Sequence, residues 1–490
     1  MESLNQEMLR NVFHVLPELV WCVFGVFLML LQPFLKNRQA LTFLALLGSA
    51  IGTLITFFTF MGPGFSGLIQ FDTFALFFHW LIGLVAFLVI LSSDSYLQRE
   101  NLDAAEFYAL ILFATAGMGV LSSAQELLTA FIGLEMSSIS SYILAGYRRD
   151  SIKASESAVK YFLLGSFATA FFLYGIALVY GVAGSTNLAA LANVDPNGTL
   201  LRMGLTLILV GLGFKVAMAP FQIWTPDVYE GAPTPVTALF SAGPKAATFA
   251  LLLRIFSTIH AATDYWFWAF WILAVLTMFV GNLGAIVQSN VKRMLAYSSI
   301  AHAGYTLVAF AAITFVRPDP NLVSAAYAAV LFYLASYALV SVGAFTIVSE
   351  IGGQGERYLT YDDYAGLGTR QPFAAAGLTL FLLSFLGLPI TAGFFGKLYI
   401  FTAAIKSNLV WLAVFMAINS VIGAYYYFRL IVVMYMRDHK GPVAESAANT
   451  LSPTAAMVVT VAALITLYLG LAPNHILGIV LSQPLMLSAR

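Results

Sequence analysis

Hydrophobic positions run along this chain in blocks of roughly 20, parted by short polar breaks, from about residue 13 to residue 473. A block of that length spans the hydrocarbon of a bilayer as a helix. The pattern predicts fourteen spans, near 13–34, 40–60, 72–93, 105–121, 124–146, 158–183, 200–224, 232–259, 266–287, 294–315, 322–350, 372–402, 409–437 and 453–473. The fold class expected is an all-α polytopic membrane protein. No soluble domain is read, and the longest polar connection is 352–371. Residues 1–12 are polar and mixed in charge, and the apolar run behind them suits a retained helix rather than a cleaved signal.

Composition supports this. The chain is 60% hydrophobic and 9% charged, against about 25% charged in soluble domains. A formal net charge of zero gives no electrostatic case for a nucleic-acid partner. Cys22 is the single cysteine, which excludes an internal disulfide, an iron–sulfur cluster held by this chain alone and a thiolate zinc site. Loop cations sort by side: Lys36, Arg38, Arg99, Arg148, Arg149, Lys153, Lys292, Arg293, Arg357, Arg370, Arg437 and Lys440 fall in one set, Arg317 and Lys406 in the other. The first set is expected to be cytoplasmic, with both termini on the outer side. The loop TPDVYEG falls on the cytoplasmic side by this count, yet is acidic.

Two spans break the apolar pattern alike. The seventh reads GFKVAMAPFQIW and the twelfth GLPITAGFFGKLYI, each setting a proline and a lysine among glycines. Pro220 and Pro389 cannot donate to their helices and displace the carbonyls of Val216 and Phe385. The spans are five apart, so a repeat built on them runs through the membrane inverted, as in transporters with broken helices.

Lys215, Lys245 and Lys397 lie inside apolar runs. Each costs about 2.5–3.5 kcal/mol on insertion scales, so each needs a partner, water or a neutral form. A lysine can release and regain a proton, which an arginine cannot. Lys160, near a span end, suits snorkelling instead. Glu135, central in the fifth span, is expected to be protonated or paired with a cation, with Ser137, Ser138, Ser140 and Ser141 able to hold water. His302, with Tyr297 and Tyr305 near it in sequence, is either a proton relay or a satisfied core residue. His79 is a weaker candidate, and His14, His260, His439 and His475 fall near span ends. No P-loop, dinucleotide fingerprint, zincin motif or haem-ligating histidine pair is read. Such an inventory moves protons or small cations and does not itself carry electrons.

VGLGFKVAMAPFQIWTPDVYEGAPTPVTALFSAGPK, VKRMLAYSSIAHAGY and SFLGLPITAGFFGKLYIF resemble the antiporter-like membrane subunits of respiratory complex I, from about residue 70 to 437. WTPDVYEGAP and the lysine of GFFGK are similar to subunit N rather than to its sisters L and M, and no long lateral helix of the L type is read after the fourteenth span. The resemblance implies fourteen helices with two inverted five-helix repeats: 1–104 carrying the first three helices, 105–260 and 261–437 the repeats, and 438–490 the last helix and tail. It implies proton translocation through Glu135, Lys215, Lys245, His302 and Lys397, in a bacterial inner-membrane NADH:quinone reductase. FMN, iron–sulfur clusters and quinone would belong to partner subunits, among them L, M and small membrane subunits, with no cofactor in this chain. A subunit of a multisubunit cation/proton antiporter or of a membrane-bound hydrogenase is the alternative, and an assembly scaffold that does not conduct is a third.

Overall fold

A computed structural model describes residues 10–35, 37–258, 264–315, 320–438 and 451–474. Lys36, Arg317, Lys440, His260, His439 and His475 lie outside the described residues. The helices are α1 (Leu16–Leu31), α2 (Arg38–Ile55), α3 (Thr73–Arg99), α4 (Ala105–Ser123), α5 (Leu127–Ala145), α6 (Ile152–Ala183), α7 (Thr199–Val216), α8 (Trp224–Gly231), α9 (Thr234–Thr258), α10 (Asp264–Ile286), α11 (Val291–Ile313), α12 (Pro320–Gly352), α13 (Pro372–Leu386), α14 (Ala392–Lys406), α15 (Val410–Met436) and α16 (Pro453–Leu471). Among the described residues, 12 helices are long and apolar enough to cross a membrane, with α7 and α8 counted as one span, and α1 and α13 are shorter apolar helices. With α13 and α14 taken as the two halves of the twelfth, the fourteen expected spans are all present.

Side chains that accept backbone N–H groups start several of these helices. Asp72 caps α3 through Ala75 N, Ser151 caps α6 through Ala154 N, Asn290 caps α11 through Arg293 N, and Glu126 caps α5 through Leu128 N and Thr129 N. The Ser151 cap lets α6 begin at Ile152, ahead of its apolar core, and α3 runs past its own core to Arg99. The added turns are polar and need not lie in hydrocarbon, so hydropathy alone did not see them.

Burial sorts the helices. The apolar windows of α9 and α12 are 100% buried and that of α11 is 94% buried, whereas that of α6 is 33% buried. α9, α11 and α12 therefore form the centre, and α6 is among the helices that present an apolar face outward. α10 packs closely on α11. At Gly281 and Gly304 a Cβ would come within 2.3 Å of Ala301 N and 2.6 Å of Met278 N, so the absent side chains permit the contact.

The basic loops cluster on one face and are tied by hydrogen bonds and side-chain ion pairs. Arg99 donates to Ser349 O (2.7 Å), and Glu350 accepts from Ser95 Oγ (2.7 Å) and from Ser452 N (3.1 Å), which joins α3, α12 and the start of α16. Two expectations are corrected. TPDVYEG is not a loop but most of the two-turn helix α8. Its acidity is matched by cations from neighbouring helices: Asp227 meets Lys160 and Arg293 at 2.7 Å each, and Glu230 meets Arg293 at 3.0 Å and Lys153 at 3.1 Å. Lys292 is not a loop cation; it sits fully buried in the first turn of α11 and donates to Glu356 Oε2 (2.8 Å) and Ala232 O (2.5 Å). The polar connection after α12 folds back over this face, with 3-10 turns at Gln354–Glu356 and Tyr361–Tyr364 and a bridge from Thr360 to Asn290.

Candidate functional site: a buried lysine axis

The seventh span breaks as the sequence predicts. α7 ends at Val216, Ala217 takes a left-handed conformation (φ 61°), and Pro220 precedes a 3-10 turn, Phe221–Ile223, that leads into α8. The backbone groups freed by the break find partners: Gly213 O accepts from Met218 N (3.0 Å), Phe214 O accepts from the Trp224 indole (2.8 Å), and Ala219 N donates to Thr277 Oγ1 (3.0 Å). Lys215 is carried in the last turn of α7, where the partial negative charge of the helix end favours a cation.

Lys215 is 7% exposed. Its Nζ donates to Tyr142 Oη (3.3 Å) and lies 4.8 Å and 4.9 Å from the ring centres of Tyr142 and Tyr161. The Tyr161 ring stacks on Trp224 at 4.4 Å, so α6 and α8 fix the cage from two sides. Glu135 does not form the direct ion pair that charge alone suggested. Its Oε1 accepts the Thr169 hydroxyl (2.8 Å), and among the described residues no cation stands within 4 Å of it. Tyr142, two turns along α5 from Glu135, is the group that touches Lys215. Ser137, Ser138 and Ser141 line a small cavity with Lys215, Tyr161 and Thr248 that gives a water centre about 10 Å³, close to the least that holds one water. Ser138 and Ser141 donate to carbonyls of their own helix, at 2.5 Å to Leu134 O and 2.7 Å to Ser137 O. Their oxygens are left as acceptors.

Lys245 lies on α9 and is 2% exposed. It donates to Ser299 O (2.8 Å) and Ser299 Oγ (2.5 Å) on α11, with the Tyr337 ring 5.5 Å from Nζ. One turn on from Ser299, His302 has Nδ1 2.6 Å from Tyr333 Oη and Nε2 3.2 Å from Tyr427 Oη, and Tyr427 Oη lies 2.5 Å from Ser298 Oγ. Tyr305 packs edge-on against His302 (5.5 Å), whereas no contact joins Tyr297 to it among the described residues.

The twelfth span breaks at the end of α13, where Gly387 (φ 88°) and Ile390 (φ 77°) precede α14. Pro389 sits in this gap. The proline was expected to strand the carbonyl of Phe385; the carbonyl that is answered from across the break is Leu386 O, which accepts Lys397 Nζ at 3.0 Å. Lys397 also reaches Ser420 Oγ (3.5 Å) and lies 4.6 Å from the centre of the Tyr305 ring. Tyr305 Oη accepts Asn282 Nδ2 (3.1 Å), and Asn282 is held in turn by Asn419 and Tyr426. Both break lysines thus meet the carboxyl end of a half-helix, as coordinating groups do in transporters with interrupted spans.

Sequence reasoning named the ionisable groups and missed what contacts them: the hydroxyls of Tyr142, Tyr333, Tyr427, Ser299 and Ser420 and the rings of Tyr161 and Tyr337. A signal was present, since the chain carries 23 tyrosines, many inside apolar runs where a buried hydroxyl must find a partner.

Residues 124–423 match the family described as NADH:quinone oxidoreductase/Mrp antiporter, transmembrane. "NADH-quinone oxidoreductase subunit N 1" of Solibacter usitatus (strain Ellin6076) is 48% identical over 479 residues, covering 96% of each chain. The chain belongs to the subunit N family. The subunit N of Trichlorobacter lovleyi (strain ATCC BAA-1151 / DSM 17278 / SZ) is 44% identical, covering 95% of this chain and 96% of its own. Among solved structures, a chain of respiratory complex I from Thermus thermophilus with bound Aureothin aligns with a TM-score of 0.79 and 36% identity, over 94% of this chain and 98% of that one. A chain of the Mrp complex from Dietzia sp. DQ12-45-1b shares the fold, with a TM-score of 0.85 over 97% of this chain and 96% of that one, at 18% identity. These likenesses bear out the family resemblance read from the sequence.

Proposed function

We propose that this chain is a proton-translocating membrane subunit of an NADH–quinone oxidoreductase, moving protons in step with quinone reduction carried out by other subunits. The observation that carries the reading is the series of buried groups from the seventh-span break to the twelfth: Lys215 on Tyr142, Lys245 on Ser299, His302 between two tyrosines, and Lys397 on Leu386 O. Each lysine has neutral partners, so each can hold or release a proton without leaving an uncompensated carboxylate behind. Glu135, half-buried beside Thr169, acts on Lys215 through its field rather than through contact. Pro220 and Pro389 open the two spans that carry Lys215 and Lys397.

In this reading the chain itself holds no redox cofactor; NADH oxidation, FMN, iron–sulfur clusters and quinone belong to partner subunits, among which are L and M and the small membrane subunits. The setting is a bacterial inner membrane with both termini on the outer side, and the chain divides into 1–104, two repeats at 105–260 and 261–437, and 438–490. The test is NADH-driven proton uptake by inverted membrane vesicles carrying Lys215→Ala, with assembly checked by native gel. Pumping falls to a small fraction of wild type in the assembled complex. Wild-type pumping in assembled Lys215→Ala membranes would reduce the chain to a scaffold.

A further inference from the structure

Away from the lysine axis, in residues before the matched family region, the structure buries a second pair of ionisable groups. Glu18, near the start of α1, is 5% exposed and His79 on α3 is 0% exposed, and Oε1 and Nε2 stand 2.7 Å apart. The other ring nitrogen settles the tautomer. His79 Nδ1 lies 2.7 Å from Ala75 O, which can only accept, and 3.5 Å from Ser122 Oγ, whose proton is given to Gly119 O at 2.9 Å. Nδ1 therefore carries a hydrogen in every state of the pair. One more proton lies between Nε2 and Oε1, on either atom, and the pair as it stands is neutral in sum.

Glu18 Oε2 is buried with no hydrogen-bond partner. A buried carboxyl oxygen without a donor is expensive to leave so, and it is the atom on which an additional proton is accepted. The surroundings are built for the pair. Trp21 stacks along the imidazole (6.1 Å) and Phe71 meets its edge (5.1 Å). A Cβ at Gly119 would stand 3.0 Å from Glu18 Oε1 and 3.1 Å from His79 Nε2, so a side chain there would press on both ends of the bond.

Few other charges bear on the site. On α1 the next titratable group is Cys22, one turn on; His14, 2% exposed, lies one turn before Glu18 with Arg10 a further turn back, and α2 has none after Arg38. From α9 comes Arg254, 1% exposed, which donates to Ser122 O (2.7 Å) and pairs with Asp72 at 2.8 Å. On α3 the nearest is that same Asp72, the helix cap, with its side chain 20% exposed. On α4, Glu106 and Tyr108 belong to the opposite end of the helix. His79 lies seven residues from Asp72, roughly 10 Å along the helix.

We propose that Glu18 and His79 form a proton-binding site of the first three spans, separate from the lysine axis, which takes one proton from water on the Asp72 face onto Glu18 and gives it back to the same face. The step is a protonation alone: the O–H bond forms at Oε2, the shared proton settles on Nε2 so that the imidazole holds two hydrogens, and the pair passes from neutral to a single positive charge.

The experiment is infrared difference spectroscopy on sealed membranes holding the full-length chain in its complex, acidified on one side at a time with an impermeant buffer. Acidifying the Asp72 side brings up a carbonyl stretch in the region of protonated carboxylic acids. Glu18→Gln deletes that band, and Glu18→Asp, which keeps a carboxyl in a shifted place, moves it. If Glu18→Gln does not assemble, the Glu18→Asp shift alone assigns the band. A spectrum in which neither variant alters any carboxylic band makes the pair a fixed structural bond, and a band raised only from the basic-loop side overturns the route. Neither readout depends on pumping, so this inference and the proposed function fail separately.

Discussion

At the residue scale, Lys397 separates two ways of using a buried charge. Its Nζ answers the last carbonyl of α13 at 3.0 Å, faces the Tyr305 ring and touches Ser420. As a fixed counter-charge to the half-helix end, an arginine serves as well as a lysine. As a proton carrier it does not, because a guanidinium keeps its proton at every working pH. We expect Lys397→Ala and Lys397→Arg both to slow NADH-driven proton uptake severalfold in assembled membranes. Full rescue by arginine would leave only an electrostatic role. The lysines were legible in the sequence because an ionisable group in an apolar run is conspicuous. Their partners were not: Tyr142, Tyr333 and Tyr427 are ordinary aromatic members of apolar spans until the packing brings their hydroxyls to Lys215 and His302.

At the element scale, the connection between the eleventh and twelfth spans is latched by Glu356. Its carboxylate receives Thr234 N (2.7 Å), Thr234 Oγ1 (2.7 Å) and Lys292 Nζ (2.8 Å), in a left-handed conformation (φ 52°) that costs an ordinary residue about 1 kcal/mol or more. Burial opposes the charge on Glu356, but Lys292 and the two Thr234 donors outweigh it and hold its carboxyl below the usual range. A depressed carboxyl contributes stability that is full above its unfolded value, about 4.3, and is lost as pH falls through the lower folded value. Protection of residues 352–371 against hydrogen exchange, taken relative to the intrinsic rate at each pH, should therefore stay high at neutral pH and fall below about pH 4. Glu356→Gln should lower it at neutral pH as well, since breaking one side of a buried pair costs about 3–5 kcal/mol. Exchange in Glu356→Gln that matches wild type at pH 7 would dismiss the latch. Sequence reading saw this segment as the longest polar connection, carrying two of the basic loop residues, Arg357 and Arg370, and gave Glu356 no part. An acid in a loop looks solvated until the fold places a buried lysine and a free helix N-terminus beside it.

At the scale of the whole molecule, the central helices α9, α11 and α12 carry Lys245, His302, Tyr333 and Tyr337, and α6 turns half-exposed apolar residues outward. Polar groups therefore gather where protein surrounds them, as hydrocarbon requires. The orientation in the membrane rests on the basic loops, and the structure improves its test. A cysteine at Lys292 would be buried and silent, whereas the Lys153 side chain is 72% exposed. In a Cys22-free background, Lys153→Cys should resist an impermeant thiol reagent added outside intact cells and react once the cells are opened. Ready labelling from outside would invert the topology.

Some features follow from local chemistry along one chain. The fourteen spans, the two breaks at Pro220 and Pro389 and the exceptional lysines could all be read in order, because each depends on the length of an apolar run or on a residue that a bilayer helix tolerates poorly. The family could be read as well, because its wording is contiguous. Contacts between distant parts of the chain could not. That Glu135 meets Thr169 rather than a cation among the described residues, that TPDVYEG is a neutralised helix, and that Glu18 meets His79 across 61 residues are decided by which helices lie side by side. A carboxylate, an imidazole or a phenol takes its role from the donor or acceptor that packing brings to it, and in this protein that partner almost always comes from another span.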